Sequence, residues 1–164
     1  MEYLFYNCIA LESVNLSNFN TQNVENMKYM FSNCISLKSI NLSSFNTHKV
    51  TDISDMFDNC KSLASIDVSS FSTEKIINMS WLFHNCTSLK SVNLSNFDTQ
   101  NVKNMDYIFY YCKSLTSIDI SNFITNKKIV YLFKELPDNG TIRISNHSKD
   151  KFKEIPSSWE IDYL

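Results

Sequence analysis

Leu37-Lys38-Ser39-Ile40-Asn41-Leu42-Ser43-Ser44-Phe45-Asn46-Thr47, running on through Val50, Ile53, Met56, Phe57 and Cys60, decides the fold because the same pattern recurs along the chain. Phenylalanine stands at Phe19, Phe45, Phe71, Phe97 and Phe123, and threonine two residues later at Thr21, Thr47, Thr73, Thr99 and Thr125. A second phenylalanine column runs Phe5, Phe31, Phe57, Phe83 and Phe109, with cysteine three places on at Cys8, Cys34, Cys60, Cys86 and Cys112. Every step is 26 residues. Self-similarity at such a period marks stacked repeats, because one unit cannot bury its apolar edge alone. After Phe123 the step shortens: Phe109 maps to Phe133, Ile118 to Ile142 and Ile120 to Ile144, each 24 residues on.

Within a unit, Ser39-Ile40-Asn41-Leu42-Ser43 alternates polar and apolar, which predicts a half-buried strand with Ile40 and Leu42 pointing inward. Asn and Ser cluster around the Phe45 bend and supply its turn geometry where glycine is absent. Val50, Ile53, Met56, Phe57 and Cys60 are spaced along one helical stripe and predict a short helix. Parallel strands lie ~4.8 Å apart and packed helices roughly 8 to 10 Å, so such a stack curves with its sheet inside.

The run Leu37-x-x-Ile40-x-Leu42 resembles the opening of a leucine-rich repeat. The whole unit is similar to the repeat of the BspA-like bacterial surface-protein family. The blocks Met56-Phe57-Asp58-Asn59-Cys60-Lys61-Ser62-Leu63 and Ser43-Ser44-Phe45-Asn46-Thr47 carry that likeness, over roughly residues 1–133. Phe45 stands where the ordinary leucine-rich pattern has Asn or Cys, and Thr47 where it has Leu. A phenylalanine spine beside a threonine column, its hydroxyls bonded to neighbouring backbone, is expected in place of an asparagine ladder. The fold class expected is an α/β solenoid, a leucine-rich-repeat-like curved stack with a parallel β-sheet on the concave side and short helices on the convex side. The resemblance implies adhesion to host or matrix proteins and to other cells.

The expected division is 1–133 for the repeat solenoid, its first unit incomplete, and 134–164 for a degenerate last rung and C-terminal cap. Met1 falls at the phase of Met27, inside a unit, and the chain reads as a fragment. In the cap, Asp138-Asn139-Gly140 predicts a turn, Thr141 to Ser145 a strand, and Ser148 to Glu154 a helix stopped by Pro156. Trp159, Ile161 and Tyr163 alternate as a last strand covering the open end of the stack.

Lys plus Arg total 15 against 17 Asp plus Glu, so no basic surface is available to neutralise nucleic acid. The single glycine excludes phosphate-cradling and dinucleotide-binding loops. No run approaches the ~20 apolar residues of a membrane span, and no leader stands at the start. The five cysteines share one phase and read as free, packed thiols rather than bridges. His48, His84 and His147 fall at different phases, which argues against a metal or a nucleophilic triad, and no cofactor is implied. Asp52, Asp55 and Asp58 read as a solvated surface, and the Asn-x-Ser sequences as products of the repeat.

Binding residues are therefore sought on surfaces. Outward strand positions form small polar columns, among them Ser39, Asn41 and Ser43; Ser65, Asp67 and Ser69; and Ser91, Asn93 and Ser95, a regular array suited to a polypeptide or glycan. A second candidate is the aromatic column containing Tyr29, Trp81 and Tyr107, interrupted by Asp55 and otherwise read as partly buried between helices. The function expected is a non-enzymatic repeat module of a larger, surface-exposed or secreted microbial protein that binds a protein or glycan. The alternative is an intracellular scaffold for a partner protein.

Overall fold

The computed structural model describes residues 1–125, 129–148, 150–152 and 154–164. Alternating apolar residues place one edge of the later units in a parallel sheet. Its four strands are β1 (Ser91–Asn93), β2 (Ser117–Ile120), β3 (Thr141–Ile144) and β4 (Glu160–Tyr163), stacked in chain order. The register follows the sequence period: Val92 faces Ile118 at the full step, and Ile118 faces Ile142 at the shortened one. β4 adds in parallel, Ile142 opposite Ile161. The stretches around Asn41 and Asp67 keep the inward Leu42 and Val68 buried but form no strand; single bonds such as Lys38 N to Glu12 O (3.1 Å) tie those rungs. A second line of parallel bridges, Asn26 to Asp52 to Asn78 to Asn104, ties the opposite part of each unit.

The stretch expected to be helical is not, and the described residues contain no helix. Two residues four apart in each unit hold left-handed backbone: Tyr29 and Asn33 (φ 56° and 61°), Asp55 and Asn59 (56° and 61°), Trp81 and Asn85 (60° and 55°), Tyr107 and Tyr111 (62° and 63°). A right-handed helix has no place for them. The amides divide their bonds in step. Ile53, Asp55, Phe57 and Asn59 donate across to the next rung, to Asn78, Ser80, Leu82 and His84 O at 2.8–3.0 Å, while Met56, Asp58 and Cys60 donate three residues back. A helix keeps its amides within itself; here alternate ones pair with the neighbour. Val50, Ile53, Met56, Phe57 and Cys60 are fully buried, so the stripe marks the core correctly without specifying a helix.

This corrects the expected α/β solenoid with short helices on a convex side. It also removes the cause of the expected curvature. Ring centroids along Phe5, Phe31, Phe57, Phe83, Phe109 and Phe133 step by 5.2–6.3 Å, well short of the ~8–10 Å of packed helices.

Like side chains pile on like throughout the core. Leu42, Val68, Leu94, Ile120 and Ile144 form one buried column and Phe45, Phe71, Phe97 and Phe123 another. Beside that spine the buried hydroxyls of Thr21, Thr47 and Thr99 both donate and accept: Thr47 Oγ1 gives to Ser72 O (2.9 Å) and receives Ser72 N (2.8 Å), and Thr99 treats Ile124 alike. The thiols are free, and those of Cys34, Cys60, Cys86 and Cys112 each donate to a phenylalanine carbonyl of the preceding rung, Cys60 to Phe31 O at 3.2 Å and Cys86 to Phe57 O at 3.1 Å. Burial pushes the Cys34 thiol up to about 11 and that of Cys112 to about 12.

An asparagine ladder exists after all, at another phase: Asn59 Nδ2 donates to Asn33 Oδ1, and Asn85 Nδ2 to Asn59 Oδ1 at 2.7 Å. These are the left-handed positions, where Asn is tolerated best among residues with a Cβ.

At the far end Phe152 meets Phe133 edge-on and Trp159 is buried, its Nε1 donating to Pro137 O (2.8 Å). The indole lies so close to Gly140 that a Cβ there would sit 2.6 Å from its ring, which accounts for the single glycine. Of the helix expected over 148–154, residues 149 and 153 lie outside the described ones; Ser148, Asp150 and Lys151 form turns.

Candidate functional site

Strand alternation sends Ser39, Asn41, Ser43, Ser65, Asp67, Ser69, Ser91 and Asn93 to the surface, all exposed, with Ser95 half-buried. The structure brings part of this set together. Asn41, Ser43, Asp67 and Ser69 line one depression of about 260 Å³. Ser91 and Asn93 line another of about 370 Å³ with Ser117, Asp119, Thr141, Arg143 and Asp162. Ser39, Ser65 and Ser95 line neither.

The middle column has a local task that the sequence pattern did not reveal. Asn41 Oδ1 accepts the Ser43 amide (3.0 Å), Asp67 Oδ1 that of Ser69 (2.9 Å) and Asn93 Oδ1 that of Ser95 (2.9 Å). These are Asx turns that lead the chain out of the sheet. Each side chain therefore spends one oxygen on the backbone and presents only its amide nitrogen or second oxygen outward. The Ser69 bonds hold the Asp67 carboxyl below the usual carboxylate range.

Arg143 was missed. It occupies the same outward row, facing Asp119 on one strand and Asp162 on the other. Its Nε donates to Asp162 Oδ2 at 2.8 Å, and one terminal nitrogen lies 3.5 Å from Asp119 Oδ2. The signal was present in the shortened step, which carries Asp119 onto Arg143.

The aromatic column sits on the turn side at the left-handed positions, half-exposed rather than packed between helices. Tyr3 stacks on Tyr29 (4.9 Å), Trp81 on Tyr107 (4.3 Å) and Tyr107 on Tyr131 (5.1 Å). Stacking of this kind offsets part of the strain of a bulky residue at positive φ. His84 and Tyr110 stack beside the column and meet Trp81 and Tyr107 edge-on.

In the next row Asp58 joins neighbouring rungs. Its Oδ1 lies 2.6 Å from His84 Nδ1, and its Oδ2 accepts from the Ser32 hydroxyl at 3.2 Å. With the carboxylate between hydroxyl and imidazole, the imidazole is not placed to take the serine proton, so the trio ties rungs and does not form a nucleophilic triad. Among the described residues no three His, Cys, Asp or Glu side chains gather as a metal site, and no helix is long and apolar enough to cross a membrane.

A family profile described as "Mycoplasma protein of unknown function, DUF285" matches residues 1–66 and again residues 64–138. No curated protein matches the chain. Among solved structures, the T. pallidum leucine rich repeat protein (TpLRR) aligns with a TM-score of 0.45 at 17% identity, over 94% of this chain and 71% of that one.

Proposed function

The chain belongs to the Mycoplasma protein family of unknown function DUF285, and from that footing we propose that it is a non-enzymatic interaction module of a microbial surface protein. It engages a partner protein or glycan through the outer face of its sheet. One observation carries this reading: the outward strand residues of successive rungs stand in register and line shallow depressions along a single face. Such a surface offers many equivalent hydrogen-bonding points at one rung spacing, which suits an extended ligand. The likeness to the BspA-like surface repeats supports the adhesive role and a place on the cell surface as part of a larger protein.

The serine columns give the cleanest test, because Ser39, Ser65 and Ser91 are exposed and their replacement leaves the Asx turns intact. A Ser39→Lys, Ser65→Lys, Ser91→Lys protein should lose capture by immobilised matrix proteins and glycans that bind the unaltered chain, at an unchanged melting temperature. Equal capture by both proteins would reject the sheet face. Antibody labelling of intact source cells tests the surface location independently.

A further inference from the structure

The aromatic column has one break. At Asp55 the backbone keeps the left-handed φ of its neighbours, 56° against 56° at Tyr29 and 60° at Trp81, so its side chain leaves along the same line but ends after a carboxylate. Elsewhere in the column ring follows ring at 4.3–5.1 Å. Between Tyr29 and Trp81 the column has one position without a ring. Tyr3 covers the far face of Tyr29 and Tyr107 that of Trp81, so each ring has one face left toward the break.

The break is chemically a cation site. Asp55, hydrogen-bonded to the Tyr29 hydroxyl, supplies a carboxylate at the break, and Asp58 adds a second from the adjoining row. The protein's own cation already reaches in: the Lys28 ammonium stands 4.9 Å from the Tyr29 ring centre and acts on the Asp55 carboxylate. An ammonium is a compact point charge and leaves a flat slot poorly filled. A guanidinium is planar, stacks on aromatic faces and pairs with a carboxylate through a fork of donors.

We infer that the break between Tyr29 and Trp81 is a binding slot for an arginine side chain of a partner polypeptide, which displaces Lys28, stacks between the rings and pairs with Asp55. The slot lies on the turn side and shares no residue with the sheet face, so failure of one does not entail failure of the other.

The test is a titration of the intact protein with N-acetylarginine amide, followed by the NMR shifts of the Trp81 indole N–H and the Tyr29 ring. The lysine analogue and the uncharged, isosteric citrulline analogue are the controls. The arginine probe should bind at least fivefold more tightly than citrulline. Lys28→Ala, which empties the slot, should tighten it at least threefold. Asp55→Tyr, which restores the ring found at this phase in neighbouring units, should fold at least as stably and abolish the response. Equal binding of arginine and citrulline, no saturable response even in Lys28→Ala, or full binding retained by Asp55→Tyr would each overturn the assignment.

Discussion

Phe57→Ala interrupts the stack with a parallel ring on each side. The ring is fully buried and lies parallel between Phe31 (5.6 Å, 3°) and Phe83 (5.7 Å, 10°). Truncating a buried phenylalanine costs about 3–5 kcal/mol, more where the surroundings cannot close over the cavity. Here they cannot. The flanking rungs are held at fixed separation by backbone bonds on either side of the ring, Asp55 N to Ser80 O and Asn59 N to His84 O, so the loss belongs at the upper end, about 4–5 kcal/mol. Phe71 provides the internal comparison: it is 5% exposed and stacks on Phe97 at a longer 6.4 Å, which places Phe71→Ala nearer 3 kcal/mol. Urea unfolding followed by far-ultraviolet circular dichroism and tryptophan fluorescence reads both values. A loss below about 1 kcal/mol for Phe57→Ala would mean that the column adds little beyond ordinary burial, and the stacking argument would fail.

Other expectations follow from the same geometry. Thr47→Val removes both bonds to Ser72 and should destabilise by about 1–3 kcal/mol, whereas Thr47→Ser keeps them and should cost clearly less in the same unfolding assay. All five thiols should react with an aromatic disulfide reagent in denaturant without prior reduction, while Cys60 and Cys86 react orders of magnitude more slowly in the native state, since burial raises both pKa values and blocks access. Asn41→Ala should cost about 0.5–1 kcal/mol through loss of its Asx turn and Asn41→Asp almost nothing, as read by thermal melting.

The pH dependence centres on Asp55. Burial and then Asp58 push its carboxyl up to about 6, against the pull of Lys28 and the Tyr29 hydroxyl. The native state therefore holds this proton more tightly than the unfolded chain does. The stability gained is fully present below the unfolded carboxyl pKa and is lost as pH rises through 6. Asp55 keeps part of its surface in solvent, so screening limits the effect to about 1 kcal/mol. Asp55→Asn should flatten that part of the stability curve; an unchanged curve would contradict the assignment.

The period told which residues share a column, and columns are most of this fold. Phe, Cys and Thr each recur at one phase because each makes the same contact with the neighbouring rung, a relation that spacing reveals directly. Backbone conformation between the columns was less legible. The stripe Val50, Ile53, Met56, Phe57, Cys60 satisfies a helical period, yet the period reports only which side chains point inward. What separates a helix from a spiral of turns is where alternate amides send their bonds, and that depends on a neighbouring rung no local pattern contains. A clue stood at Asn33, Asn59 and Asn85, since Asn repeated four places after an aromatic or Asp marks positions that tolerate left-handed backbone. On the sheet, exposure could be read from alternation. The Asx bonds of Asn41, Asp67 and Asn93 could not, because the same polar side chain serves either a turn or a ligand until its hydrogen-bond partner is known.

Hydrogen bonding between rungs is the claim on which the rest depends, and scalar couplings through hydrogen bonds measure it directly on isotope-labelled protein. The Phe57 amide nitrogen should correlate with the Leu82 carbonyl carbon, and that of Asp55 with Ser80, the pairs 3.0 Å apart in this fold. Correlation of Phe57 with the Ile53 carbonyl instead, the partner a helix would give it, would contradict the account.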